Sequence, residues 1–266
     1  MRKGLLIGMN YKNSVCPLGG CINDIINMKN VLTTNYGFDE SNITILTDDG
    51  SSQEQPTGDV IYSHMKALVA NAQPGDVLVF HYSGHGVQVP DLNYDELSGY
   101  DDALIPTDYV LNGVITDDTI FRDFIAKVPA GVKLIAFFDC CHSGSICDLE
   151  FNTKYVGSPS DINARSIAIV DSEFKSWREN NNVVEGDVFV FSGCYDEQTS
   201  ADASIENQRQ GAFTYTLHEA IMDPSHAYTC KELLKHINLK LQSSGYDQRS
   251  QLSCSKESFF DDVFSF

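Results

Sequence analysis

The sequence predicts an α/β fold in which a mainly parallel central sheet is covered by helices on both faces. Two observations carry this. Short apolar runs of strand length alternate along the chain with longer segments of helical period. Two of those runs, Asp76-Val77-Leu78-Val79-Phe80-His81 and Lys133-Leu134-Ile135-Ala136-Phe137-Phe138, lead into turns rich in Gly and Ser. Sites on such sheets collect at the carboxyl ends of strands. The 266 residues, 42% of them hydrophobic, make one large domain or two small ones with ample core.

The elements follow in order. Leu5 to Met9 reads as a buried strand. Gly20 to Tyr36 reads as a helix, with Ile22, Ile25, Ile26, Lys29 and Leu32 as a mostly apolar face and Gly37 as its stop. Asn42 to Leu46 is a strand. Asp59 to Ala72 is a helix closed by Gln73-Pro74-Gly75, and Asp76 to Tyr82 a third strand. Thr116 to Val128 is a helix with Thr116 as N-cap. Lys133 to Phe138 and Asp187 to Ser192 are strands. Gly211 to Met222 and Thr229 to Gln242 are helices, and Arg249 to Ser253 is a last strand. Val87 to Gly113 and Leu149 to Glu185 lack periodicity, and the second reads as a linker. The expected division is residues 1–148, a linker at 149–185, and residues 186–266, together one domain.

Charge and cysteine usage narrow the function. A net charge of −19 argues against nucleic acid and anionic membrane surfaces and favours cationic partners, either basic peptides or metal ions. The eight cysteines form no CxxC pair, which disfavours a zinc knuckle, and are too sparse for a disulfide scaffold. Gly4-Leu5-Leu6-Ile7-Gly8 is too short for a signal-peptide core, and no run reaches transmembrane length. The expected location is the cytoplasm, where a free thiol persists.

The chemistry lies in two cassettes, Tyr82-Ser83-Gly84-His85-Gly86 and Asp139-Cys140-Cys141-His142-Ser143-Gly144. If their strands are neighbours, His85 and a cysteine form a dyad, and a thiolate beside an imidazole is a strong nucleophile for acyl groups. Glycines on either side of His85 let the backbone turn and a substrate approach. Two adjacent cysteines compete for the nucleophile's role. Strand alternation sends Asp139 and Cys141 one way and Cys140 the other. His142, next in sequence to Cys141, is badly placed to act as base. Asp139, two residues before Cys141, should attract a cationic side chain, and Ser83, two before His85, should face the same side.

These cassettes resemble the catalytic motifs of the metacaspases, cysteine peptidases of the caspase-fold clan. The resemblance extends through Asp187-Val188-Phe189-Val190-Phe191-Ser192-Gly193-Cys194, Gln198-Thr199-Ser200-Ala201-Asp202 and Gly211-Ala212-Phe213-Thr214-Tyr215. It implies a caspase-like α/β/α sandwich, with a large-subunit-like region to residue 148 and a small-subunit-like region from residue 186. The short linker resembles that of type I members, which often carry an N-terminal extension; here the first strand is expected near Met1. The resemblance gives Cys141 as nucleophile, His85 as its partner, and the N–H groups of Gly86 and Cys141 as oxyanion donors. One such donor is worth about 3 kcal/mol. No third member to orient His85 is evident.

The same resemblance implies an acidic pocket for Arg or Lys before the cleaved bond, built from Cys21 and Asp24 of Gly20-Cys21-Ile22-Asn23-Asp24 together with Ser83 and Asp139. Read alone, Asp24 is a first-turn acid worth about 0.3–1 kcal/mol against the helix dipole. A caspase cutting after Asp would need basic residues there instead.

Acids also cluster in Ser98-Gly99-Tyr100-Asp101-Asp102, Ile115-Thr116-Asp117-Asp118 and Ile146-Cys147-Asp148. Calcium takes many oxygen ligands, and no EF-hand pattern is present. By resemblance to calcium-dependent metacaspases the ligands are Asp101, Asp117, Asp118 and Asp148, with Asp102 as a neighbour; Asp117 and Asp118 also suit a helix start. No organic cofactor is expected. The linker's basic residues, Lys154, Arg165, Lys175 and Arg178, are candidates for self-cleavage. The expected protein is a monomeric, calcium-activated endopeptidase acting on Arg- or Lys-containing proteins or peptides. The alternatives are a calcium-independent, paracaspase-like peptidase and a caspase-fold scaffold or aggregate-binding module with little proteolysis.

Overall fold

The computed structural model describes residues 1–93, 99–141, 143, 146–147, 149, 151–155, 167–171, 184–194, 202–205, 208–222 and 227–266. In chain order it contains β1 (Arg2–Gly8), α1 (Cys21–Asn35), β2 (Ile43–Thr47), α2 (Gly58–Ala70), β3 (Val77–Ser83), β4 (Gly86–Pro90) and β5 (Tyr100–Leu104). These are followed by α3 (Tyr109–Asn112), β6 (Ile115–Thr116), α4 (Asp117–Asp123), β7 (Lys133–Asp139), β8 (Phe151–Tyr155) and β9 (Ile167–Asp171). The chain continues with β10 (Asp187–Ser192), β11 (Asp202–Ile205), β12 (Gln208–Gly211), α5 (Ala212–Ile221), α6 (Cys230–Ser243) and β13 (Gln251–Cys254).

Among the described residues the central sheet has eight strands in the order β2-β1-β3-β7-β10-β13-β8-β9. Strands β2 through β10 run parallel, and β13, β8 and β9 add antiparallel edges. This is the mainly parallel architecture expected. Each central strand is buried on both faces, which is why these runs read as nearly continuous hydrophobics. Alternation sorts their side chains. Leu78, Phe80 and Tyr82 of β3 and Leu134, Ala136 and Phe138 of β7 pack on one face with Ile61, Met65, Ile120 and Phe124. Val79 of β3 and Ile135 and Phe137 of β7 pack on the other with Ile25, Met28, Phe213, Leu217 and Leu234. So α2 and α4 cover the first face, and α1, α5 and α6 the second.

The helices are punctuated as their sequences suggest. Thr57 caps α2 by accepting from Val60 N, and Thr229 forms a capping box with Glu232 at α6. Thr116 stands at the N-cap position of α4 without a side-chain cap bond. That helix ends at Asp123, and Ile125–Lys127 continues as a 3₁₀ turn, so it is shorter than periodicity implied.

Three expectations are corrected. The apolar face proposed for α1 is rotated: Cys21, Asp24, Ile25, Met28, Val31 and Leu32 are buried, whereas Ile26 is 39% exposed. The rotation turns Asp24 inward, to partners described below. The stretch Val87 to Gly113, read as irregular, holds most of a separate three-stranded sheet, β4-β5-β6. The stretch read as a linker contributes β8 and β9 to the central sheet. The signals in these strands are short: β4 alternates only over Val87-Gln88-Val89 before Pro90, β5 and β9 do not alternate regularly, and β6 is only two residues long.

Candidate active site

Strands β3 and β7 lie side by side, in register from Val77↔Lys133 to Ser83↔Asp139. The chains part just beyond, with Gly84 N donating to Asp139 O at 3.2 Å. His85 and Cys141 each follow two residues after that last pair. The next residue, Gly86, lies against the second turn: a β-carbon there would sit 2.0 Å from the Cys141 carbonyl oxygen and 3.3 Å from Cys140 Sγ. Only glycine allows the backbones so near one another. The structure thus brings the two predicted cassettes together at the carboxyl ends of adjacent parallel strands.

The two cysteines separate as alternation required. Cys140 is 1% exposed and packs on the α2/α4 face, and burial together with the neighbouring Cys194 and Cys141 sulfurs pushes its thiol well above the ordinary range. Cys141 is only partly buried. Of the two, Cys141 is the less buried, and it is the one the resemblance gives as nucleophile.

His85 has the orienting partners the sequence did not reveal. Its Nε2 lies 2.7 Å from the Cys16 carbonyl oxygen, and its ring tilts against Tyr11 at 4.7 Å between centroids. His85 N donates to Tyr11 Oη at 3.2 Å, and Tyr82 Oη donates to the His85 carbonyl at 2.8 Å. Tyr11 Oη in turn donates to the Ile105 carbonyl at 2.6 Å. Both tyrosines are buried, which drives their phenol pKa values upward, so they remain protonated donors. Asp48 fixes the loop by accepting from Asn10 N and Tyr11 N at 2.9 and 2.6 Å. A backbone carbonyl carries no side-chain signature, which is why Cys16 could not be singled out.

The four predicted pocket residues also converge. Cys21 and Asp24 come from the first turn of α1, Ser83 from the end of β3 and Asp139 from the end of β7. All are buried, Asp24 at 0% and Asp139 at 4% exposure. Ser83 Oγ donates to Asp24 Oδ2 at 2.7 Å. Two further residues join them. Gly211 N donates to the Asp24 carboxylate at 3.0 and 3.1 Å, and Thr214 donates to Asp139 Oδ2 through its N at 2.9 Å and Oγ1 at 2.8 Å. A β-carbon on Gly211 would lie 2.1 Å from Asp139 Oδ2 and 2.9 Å from Asp24 Oδ2, so the chain there wedges between the two acids. Behind Thr214, the fully buried His81 places Nε2 3.2 Å from Thr214 Oγ1. Burial lowers the His81 pKa to about 3, so its ring is neutral. Gly211 and Thr214 lie in the Gly211-Ala212-Phe213-Thr214-Tyr215 motif, which the resemblance assigned to the small-subunit-like region without giving either residue a role.

The acidic corner is partly assembled. Asp101, Asp102 and Asp117 are buried at 6%, 1% and 2% exposure. Asp117 Oδ2 accepts from Asp102 N at 2.7 Å and its Oδ1 from Asp118 N at 2.9 Å, while Asn93 Nδ2 donates to Asp118 Oδ2 at 2.9 Å. Among the described residues, no three acidic, His or Cys side chains close on a single metal position. Asp148 lies outside the described residues. Buried carboxylate oxygens are the donor type a hard cation such as calcium takes.

Of the self-cleavage candidates, Arg165, Lys175 and Arg178 lie outside the described residues. Lys154 falls within β8, whose backbone pairs with β13 on one side and β9 on the other. A peptidase needs an extended, accessible segment, so that placement counts against Lys154. Among the described residues, no helix is long and apolar enough to cross a membrane.

Comparison with known proteins places the chain among relatives of one family. The profile of the metacaspase, peptidase C14 domain family matches residues 2–150. The chain is 38% identical to Metacaspase-1 of Schizosaccharomyces pombe over 288 residues, covering 96% of this chain and 67% of that protein. It is 38% identical to Metacaspase-1A of Aspergillus oryzae, covering 96% and 68%. Among solved structures it resembles protein GSU0716 from Geobacter sulfurreducens, with a TM-score of 0.67 at 22% identity over 99% of both chains. It also resembles caspase-1 from Spodoptera frugiperda, with a TM-score of 0.54 at 15% identity over 96% of this chain and 84% of that one.

Proposed function

We propose, for a chain that belongs to the metacaspase family of C14 cysteine peptidases, that it hydrolyses peptide bonds after Arg or Lys through Cys141 and His85. The observation that carries the specificity is the pair of buried carboxylates, Asp24 and Asp139, on the same sheet face as the residues leading to the dyad. A guanidinium or ammonium group between two oriented carboxylates is well satisfied, whereas an acidic or apolar side chain leaves buried acids without a cation.

The steps follow from the residues. Cys141 Sγ attacks the scissile carbonyl and the carbonyl oxygen becomes an oxyanion facing the N–H groups of Gly86 and Cys141. His85, held by the Cys16 carbonyl and the Tyr11 ring, carries the thiol proton to the leaving amine. Water then attacks the thioester carbonyl and gives a proton to His85; the carbon–sulfur bond breaks, the carboxylate product leaves, and the Cys141 thiolate takes the proton back from His85.

Calcium activation is part of the proposal. Asp101, Asp102, Asp117 and Asp118 form one acidic corner on the β4-β5-β6 sheet, which begins at Gly86 itself. Bound calcium would supply charge compensation to this corner. The chain's own contribution is to couple the corner to the catalytic turn through β4. Self-processing between β8 and β10 is proposed at Arg165, Lys175 or Arg178, with Lys154 the weakest candidate. Monomeric action in the cytoplasm completes the reading.

The experiment is hydrolysis of a fluorogenic Arg peptide by the purified chain in calcium and in excess chelator. Activity in calcium alone is the expected result. Equal activity in both would favour a calcium-independent peptidase, and no covalent labelling of Cys141 by an Arg-based electrophile would favour a scaffold.

A further inference from the structure

The mechanism uses the N–H of Cys141 but leaves unexplained what aims it. A peptide group is planar, and in the trans form its C=O and N–H point in opposite directions. Whatever holds the carbonyl of Cys140 therefore sets the direction of the Cys141 N–H. Two side chains hold it. Ser143 Oγ donates to the Cys140 carbonyl at 3.0 Å, and Cys194 Sγ donates to the same oxygen at 3.0 Å. Both residues are 0% exposed.

Neither contact is a chance of loose packing. Cys194 follows β10, whose register with β7 ends at Ser192↔Phe138. The turn carrying it is pinned by Gly193 N to Phe138 O at 2.7 Å, by Gln248 Nε2 to Gly193 O at 2.8 Å and by Ser250 Oγ to Ser192 O at 2.8 Å. Cys194 is thus presented by the second half of the chain to a peptide in the first. Burial pushes its thiol up to about 12, so the S–H proton stays in place as a donor over the working range.

We propose that Ser143 and Cys194 are positioning residues of the oxyanion site: together they clamp the Cys140–Cys141 peptide by its carbonyl, so that the Cys141 N–H is fixed toward the developing negative charge. Two donors on one carbonyl also polarise the peptide and strengthen its N–H as a donor. Preorganised donors of this kind act on the transition state more than on bound substrate. The inference rests on the proposed Cys141 peptidase mechanism.

The test compares wild type with Ser143→Ala, Cys194→Ala, Cys194→Ser and the double alanine variant. Three measurements are made on each: hydrolysis of an Arg peptide, inhibition by an Arg peptide aldehyde, and alkylation of Cys141 by iodoacetamide. In the aldehyde, Cys141 Sγ adds to the carbonyl carbon and the former carbonyl oxygen takes up a proton, forming a hemithioacetal that reports on the oxyanion site. Alkylation needs the thiolate and no oxyanion donor.

Each alanine change should lower kcat about tenfold, with KM within about twofold, and weaken the aldehyde by the same factor. The double variant should lose more than either single one. Alkylation rates should stay within about twofold of wild type, and Cys194→Ser, which keeps a donor, should recover most of kcat. If Cys194→Ala does not fold, Ser143→Ala and Cys194→Ser carry the test. Alanine variants with wild-type kcat, or with kcat and alkylation falling together, would overturn the clamp while leaving the peptidase reading intact. A wild-type chain that is alkylated but cleaves no peptide would overturn both.

Discussion

Gly86 and Cys141 are in backbone contact, so close that a β-carbon on Gly86 would lie 2.0 Å from the Cys141 carbonyl oxygen. The contact exists because β3 and β7 end in register at Ser83↔Asp139 and their turns then fold over one another. It ties the histidine turn, the cysteine turn and the start of the β4-β5-β6 sheet into one unit.

Gly86→Ala should therefore destroy activity without unfolding the protein. The added methyl meets backbone, which cannot swing aside as a flexible side chain would, so one turn must shift. A displacement of about 1 Å at reacting atoms can cost about a hundredfold in rate. Steady-state kinetics with a circular dichroism melt checks this. Activity near wild type would mean the turns are not coupled.

Cys141→Ala should abolish hydrolysis, by up to about 10⁶ in kcat for a lost nucleophile. Cys140→Ala should keep a measurable rate. Cys140 lies on the core side beside Gly86, so its loss opens a small cavity and lowers the melting temperature instead. Equal losses of rate in the two variants would contradict the assignment.

Asp24→Asn and Asp139→Asn should each lower kcat/KM for an Arg peptide by about a hundredfold, as truncating one partner of a buried charge pair costs about 2–5 kcal/mol. Thr214→Val should act on the same substrate more weakly, since it removes one of the two donors holding Asp139. Substrate profiling of the three variants is the check. An undiminished preference for Arg in both Asp variants would sink the pocket.

His81 gives a pH signature separable from catalysis. Its folded pKa of about 3 lies below the ordinary value of 6.5. The unfolded chain therefore binds a proton at this residue that the folded chain refuses, and the stabilising contribution is complete above about pH 6.5 and falls as pH drops toward 3. The slope approaches about 1.4 kcal/mol per pH unit. Denaturant unfolding at pH 7.0 and 5.5 should show wild type losing stability relative to His81→Gln. Parallel losses in the two proteins would exclude His81 as the source.

The parts legible in sequence were those that carry periodicity or a compact motif. The strands ending at Ser83 and Asp139 announced themselves as apolar runs, and alternation correctly parted Cys140 from Cys141. The face of α1 was misread because a fully buried carboxylate, Asp24, breaks the apolar stripe; only its distant partners, Ser83 and Gly211, justify turning it inward. Strand β4 was missed because its alternation, Val87-Gln88-Val89, is cut short by Pro90, and β5 because Tyr100-Asp101-Asp102-Ala103-Leu104 does not alternate. The orienting group of His85 is a main-chain oxygen, and the donors on the Cys140 carbonyl come from positions 143 and 194, a separation that no local pattern spans.

The most direct measurement of the central claim is mass-spectrometric mapping of the bonds that the purified chain cuts in a peptide library, in calcium, with the Cys141→Ala variant in parallel. Cuts after Arg and Lys alone, absent from the variant, are the expected result. Cuts after Asp or apolar residues, or a pattern that persists in Cys141→Ala, would contradict it.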